Sequence, residues 1–256
     1  MRDAIDLTER YRKDAERFRD ALLRAEVGKR VAKVYLFGSL ARGAVTQRSD
    51  IDILVVLCDG DDGARAVAET LLDLQLEGCG PLEPVTCSIE DLFPVQDYFL
   101  YHVTRRGKEI YSMPEAELRR EGARRLLELA RDYLEAATDT FERGHLRLGI
   151  DGAYNAAELA VKGLLLLAGV EELPGSHGGL VQRFSEAYVR TGRIEREVGR
   201  DLNRALEWRN WARYRYEVRV GPEEARLVAQ LAGRLIERLA DEMARPTERG
   251  GSGVPC

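Results

Sequence analysis

The chain has 256 residues, 45% of them hydrophobic and 32% charged, with a formal net charge of −5, a length that allows two cores of ordinary domain size. No apolar run is long enough to cross a bilayer and Met1-Arg2-Asp3 starts no signal-peptide pattern, so no membrane partner and a cytoplasmic location are expected. The acidic balance excludes wholesale coating of nucleic acid but leaves room for a local basic groove, and Cys58, Cys79, Cys87 and Cys256, without CxxC spacing or nearby histidines, read as free thiols rather than a zinc site or disulfide framework.

In chain order, VAKVYLF (Val31 to Phe37) alternates enough to be a buried strand ending at Gly38. Ser49 to Val56 enters a second strand, Ala64 to Leu76 has the period of an amphipathic helix, Leu82 to Ser88 reads as a third strand, and Glu109 to Tyr111 as a short fourth. Near Ser112-Met113-Pro114 the pattern becomes wholly helical. Leu118, Leu126, Ala130, Tyr133, Ala137 and Phe141 recur at mostly three- to four-residue spacing, as do Leu227, Leu231, Leu235, Leu239 and Met243. Between them, Ala153 to Ala168 is apolar on nearly every side except Asn155, Glu158 and Lys162, which suits the centre of a bundle. Breaks at Gly144, at Pro174 to Gly179 and at Gly221-Pro222 separate about five helices. The expected division is a mixed domain over residues 1–112, an all-α up-down bundle over 113–245 and a flexible tail over 246–256.

The segment with most chemistry is GSLARGAVTQRSDID, Gly38 to Asp52: a Gly-Ser pair, ten residues, then two aspartates one residue apart. Gly38 lets the backbone come close to a bulky anion, and Ser39 opens a short helix whose free N–H groups suit a triphosphate. Residues two apart on a strand point to the same side, so Asp50 and Asp52 can share a divalent ion. An all-oxygen site of carboxylates and phosphates favours Mg²⁺ over zinc or copper. The plainer reading is an acidic hairpin beside a turn, with Asp50 as turn residue or cap.

The Gly-Ser start, Arg42 three residues on and the strand-borne Asp-x-Asp resemble the polymerase-β-type nucleotidyltransferases. The resemblance implies an α+β nucleotidyltransferase domain with a small mixed sheet. It also implies Mg²⁺ on Asp50, Asp52 and a third acid, with an NTP whose β and γ phosphates are held by Gly38, Ser39 and Arg42. ATP is the NTP of the family's habit. Glu83 stands where the family places its third acid, usually an aspartate, as metal ligand and general base. Here it is a glutamate followed by Pro84, and ligand and plain surface carboxylate both stay open for it.

The second half carries another resemblance. The helix with Ala153, Ala156, Glu158, Ala160 and Lys162, the Ser176-His177-Gly178 segment after it, and Arg209-Asn210 in a late helix look like a HEPN domain, a frequent companion of such transferases. The ribonuclease version of that domain has an arginine, a polar residue, three more, a histidine, one more and a tyrosine. Arg209, Asn210 and Tyr216 match, while Tyr214 takes the histidine's place. A tyrosine with a pKa of about 10 is a weak base at neutral pH, so strong ribonuclease activity is not expected. His177 reads as a polar loop residue. Were the helix to run on, Arg209, Arg213 and Tyr216 would share one face. Trp208, Trp211, Tyr214 and Tyr216 interleave with Arg204, Arg209, Arg213, Arg215 and Arg219, a pattern suited to stacking bases and neutralising phosphates, while the plainer reading takes Trp208 and Trp211 as core or dimer-interface anchors. The related two-gene systems attach AMP to the tyrosine at the place of Tyr216, which makes Tyr216 a candidate acceptor.

Three functions follow as expectations. The first is a Mg-dependent nucleotidyltransferase moving AMP to a hydroxyl, possible acceptors being a protein tyrosine or RNA, in a toxin–antitoxin-like context and as a homodimer through the bundle. The second is a small-molecule transferase of the kanamycin type, taking its catalytic glutamate from the bundle; Glu158 is the one available, though Glu158 and Lys162 read first as an i,i+4 pair. The third is an inactive nucleotide- or RNA-binding interaction module.

Overall fold

The computed structural model describes residues 2–58, 60–170 and 172–245; the tail expected over 246–256, Cys256 included, lies outside them. The chain forms two compact units, Met1–Arg125 and Leu126–Cys256.

The first unit contains α1 (Arg2–Arg24), β1 (Val31–Leu36), α2 (Gly38–Ala41), β2 (Ile51–Leu57), α3 (Gly60–Leu76), β3 (Leu82–Ser88), α4 (Tyr98–Arg106), β4 (Lys108–Ser112) and the start of α5 (Glu115–Glu142). Its four strands form one mixed sheet in the order β3-β2-β1-β4, with β2 and β3 parallel and β1 antiparallel to both β2 and β4. The near-continuous apolar run of β2 is explained by burial on both faces. Ile51, Ile53, Val55 and Leu57 enter a core with Tyr11, Ala15, Phe18 and Leu22 of α1 and Val67 and Leu74 of α3. Leu54 and Val56 enter a second core with Leu100 and Val103 of α4 and with Met113 and Leu118. Each fully buried large side chain in these clusters contributes about 1.5–3 kcal/mol. Asp52 has the parity of Leu54 and Val56 and stands at the end of the α4-covered face. Pro84 is accommodated because β3 is an edge strand.

The second unit continues α5 and adds α6 (Leu146–Leu167), α7 (His177–Phe184), α8 (Arg196–Tyr214) and α9 (Pro222–Ala244). Helix α6 is central, packing on α7, α8 and α9 and burying residues all round its axis from Gly149 to Leu166. It also lies close to α5: a Cβ on Gly149 would be 2.4 Å from the Phe141 ring. Two residues expected on inward faces are substantially exposed, Tyr133 at 44% and Leu227 at 39%. Ala130, Ala137, Leu231, Leu235 and Leu239 carry those faces instead. Among the described residues no helix is long and apolar enough to cross a membrane.

Candidate active site

Between β1 and β2 the chain turns through Gly38 at φ +63°, a left-handed conformation open to glycine at little cost. The turn is pressed onto β2: Phe37 donates its backbone N–H to the Asp52 carbonyl at 3.1 Å, and a Cβ on Gly38 would lie 1.8 Å from Asp52 Oδ2. Ser39 donates its backbone N–H to the Asp52 carboxylate, and the Arg42 guanidinium also favours the charged form. Both are outweighed. Burial, and next the charge of Asp50, push the Asp52 carboxyl above its ordinary range. Asp50 is exposed just before β2, and the turn leading to it is tied by Thr46 and Ser49, whose backbone and hydroxyl groups bond reciprocally.

Asp50 and Asp52 thus crowd each other beside a glycine turn and an arginine, an arrangement whose repulsion a divalent cation relieves. Glu83 is the register partner of Asp52 across the parallel β2–β3 ladder and is exposed. The two aspartates are brought together, whereas no group of three or more His, Cys, Asp or Glu side chains among the described residues is placed to hold a metal ion. Beside Gly38 and Arg42 opens a cavity of about 490 Å³ whose far wall is α4, with Phe37, Tyr98, Phe99, His102 and Arg106 among its lining. This helix has no clear apolar period in the sequence. Its available signal was Asp97 before the aromatic run Tyr98-Phe99-Leu100-Tyr101-His102, since Asp97 is the N-cap, accepting from the Leu100 N–H at 2.9 Å.

The residues of the second motif lie on α8 and just beyond it. Arg209 is buried at 4% exposure, its Nε donating to Asp151 Oδ1 at 3.1 Å and its Nη1 to Asn210 Oδ1 at 3.2 Å. Tyr214 is the last residue of α8, 65% exposed, with the Arg209 and Arg213 guanidinium carbons each 5.8 Å from its ring centroid. The helix does not run on, so Tyr216 shares no helical face with Arg209 and Arg213; it is 92% exposed. The stop is supplied by Arg147 of α6. Its Nη1 donates to the carbonyls of Trp211 and Ala212, and its Nη2 to those of Arg215, Tyr216 and Val218. Trp208 and Trp211 are half-buried.

His177 is the first residue of α7 rather than a loop residue. Its Nδ1 is hydrogen-bonded to Glu158 Oε2, and its ring stands edge-on to Tyr154 with centroids 5.7 Å apart. Lys162 Nζ lies 3.1 Å from Glu158 Oε1, as the i,i+4 spacing predicts. Burial, and then the Glu158 charge, hold the Tyr154 phenol well above its ordinary range, against the pull of Arg209. Glu158 is therefore the hub of a network satisfied from three sides.

A small mixed sheet with a Gly-Ser turn against an Asp-x-Asp strand, joined to a helical bundle, defines a nucleotidyltransferase fold with a helical partner domain. Comparison with known families agrees: residues 15–81 match the nucleotidyltransferase domain and residues 123–243 the HEPN domain. The first match contains Gly38, Ser39, Arg42, Asp50 and Asp52 and stops short of Glu83. Among curated relatives, "Putative toxin MJ0605" of Methanocaldococcus jannaschii is 30% identical over 120 residues, which is 47% of this chain and 87% of that protein. "Putative toxin MJ0142" of the same organism is 26% identical over 101 residues, 40% of this chain and 67% of that one. A UPF0332 protein of Thermotoga maritima is 28% identical over 119 residues, 45% and 89% of the two chains. The chain belongs to the family that joins a nucleotidyltransferase domain to a HEPN domain.

Proposed function

We propose that the protein moves AMP from ATP to an acceptor hydroxyl, and that Tyr216, on the same chain or on a second copy, is an acceptor. The observation that carries the reading is the close fit of the Gly38 turn to Asp52, beside Asp50 and Arg42. Asp50 and Asp52 would hold Mg²⁺, and Glu83, exposed and next in the ladder, stands beside the pair as the general base rather than as a third ligand. When bound, the ion neutralises phosphate charge and polarises the α-phosphorus. The chain's own groups do the rest. Gly38 and Ser39 present backbone to the phosphates, and Arg42 neutralises the β and γ groups. Glu83 takes the acceptor proton. The acceptor oxygen forms its bond to the α-phosphorus as the bond to the bridging oxygen breaks, and pyrophosphate leaves.

Tyr216 suits the acceptor role because its side chain is 92% exposed on a loop whose backbone Arg147 anchors. The small-molecule alternative is weakened by Glu158, the glutamate it would need as a base, which His177 and Lys162 already engage. Relatives named as toxins support a toxin–antitoxin-like setting, and a cytoplasmic homodimer paired through the bundle goes with it. The test is intact mass spectrometry after incubation with ATP and Mg²⁺. A gain of about 329 Da per AMP, mapping to Tyr216 and absent from the Asp50→Asn/Asp52→Asn variant, is expected. A gain unaffected by that double substitution would overturn the site assignment, and a gain mapping elsewhere would overturn Tyr216.

A further inference from the structure

We propose that the cavity between the Gly38 turn and α4 receives the base of the nucleotide, stacked against Tyr98 and His102, with Arg106 as a second cation for the polyphosphate chain. This rests on the reading of the Gly38 turn as the phosphate site.

Helix α4 buries only one side. Leu100 and Val103 point into the core shared with β1 and β2, while Tyr98 is 77%, Phe99 39% and Tyr101 48% exposed. Three large aromatic rings left in water on a nine-residue helix are an unusual expense for a fold with two well-filled cores. They are also held in place. Phe99 meets Phe37 edge-on at a centroid distance of 5.2 Å, and His102 meets Tyr98 edge-on at 4.2 Å, so the wall is formed in advance rather than assembled around a ligand. Behind it the floor is tight: a Cβ on Gly107 would lie 2.8 Å from the Leu36 carbonyl oxygen.

The cavity's charge selects the occupant. Arg42 and Arg106 both line it, and neither takes part in an ion pair among the described residues. An apolar peptide would leave two guanidinium groups desolvated, and a bare polyanion would leave the aromatic wall unused. A nucleotide has a π-face for the rings and phosphates for the cations. The volume of about 490 Å³ lies within the range of small-molecule pockets. The cavity is continuous with the phosphate turn through Gly38, Ala41 and Arg42, so one ligand reaches both.

The test is calorimetric binding to the full chain, with Mg²⁺, of two probes: α,β-methylene-ATP, which carries a base and resists transfer, and inorganic tripolyphosphate, which has charge alone. The Tyr98→Ala/His102→Ala variant is expected to bind the ATP analogue roughly tenfold or more weaker, with tripolyphosphate affinity unchanged. Arg106→Ala should weaken both probes, and Tyr98→Trp should keep the stacking and retain affinity, which controls for misfolding. If the double variant binds the analogue like wild type while Arg42→Ala loses it, the base lies elsewhere and this proposal falls, but the phosphate site stands. Wild type that binds neither probe would sink both.

Discussion

Gly38 and Asp52 touch so closely that no side chain fits between them: a Cβ at Gly38 would sit 1.8 Å from Asp52 Oδ2, at a residue with φ +63°. Gly38→Ala therefore meets two penalties, a left-handed conformation costing about 1–2 kcal/mol and a clash that must displace the carboxylate or the turn. The expected result is a loss of transfer of about 100-fold or more, since sub-ångström to 1 Å misplacement has that scale of effect, with a smaller loss of stability. Initial rates beside urea unfolding would check this. Wild-type rates in a folded variant would show that the turn is not part of the site.

The pairing of Asp50 with Asp52 predicts a metal response that does not depend on turnover. Mg²⁺ should raise the melting temperature of the wild type and not that of Asp50→Asn/Asp52→Asn, because only the first has charge repulsion for a bound cation to relieve. Glu83 is separable from this. As general base, Glu83→Gln should lower kcat by about 10²–10⁴ while nucleotide affinity stays close to wild type. Unchanged kcat would mark it as a surface carboxylate beside the site.

The sheet was legible in the sequence because β2 must be apolar on both faces and interrupts that pattern only at Asp52, where the chemistry is. The three strands that were read with most pattern, over Val31 to Phe37, Ser49 to Val56 and Leu82 to Ser88, match β1, β2 and β3 to within two residues at their ends. Helix α4 was not legible: its nine residues bury only Leu100 and Val103, too few to set a helical period against four aromatic or imidazole side chains. The helical place of His177 is hidden for a related reason. Its partners, Glu158 and Tyr154, lie on a helix 19 or more residues earlier in sequence, and glycines after it suggested a loop where Ser176 caps α7. The end of α8 was equally hidden, since the residue that stops it, Arg147, belongs to α6.

That arginine is a testable anchor for the Tyr216 loop. Arg147 satisfies carbonyls of the last turn of α8 and of the segment following it, groups that a helix end otherwise leaves to water. Arg147→Ala should cost about 2–4 kcal/mol and speed tryptic cleavage at Arg213 and Arg215. Arg147→Lys keeps the charge without the planar fork, so it should fall between the two. Equal cleavage rates in all three proteins would mean the loop is ordered by other contacts.

Tyr214 offers the last comparison. Its ring at the end of α8 is 65% exposed and within 5.8 Å of two guanidinium groups, a place where an imidazole would be solvent-accessible and next to positive charge. Tyr214→His installs a group whose unperturbed pKa is about 6.5 in place of a phenol. The neighbouring cations should pull the imidazole lower still and keep it a base near pH 7. The expected outcome is slow RNA cleavage that needs no added metal, absent from wild type and lost again in Tyr214→His/Arg213→Ala, which removes the exposed cation and spares the buried Arg209–Asp151 pair. Cleavage that persists without Arg213 would place phosphate neutralisation elsewhere. No cleavage at any pH would mean that the buried Arg209, held by Asp151 and Asn210, has become a structural residue, and that the loss of ribonuclease chemistry extends beyond one histidine.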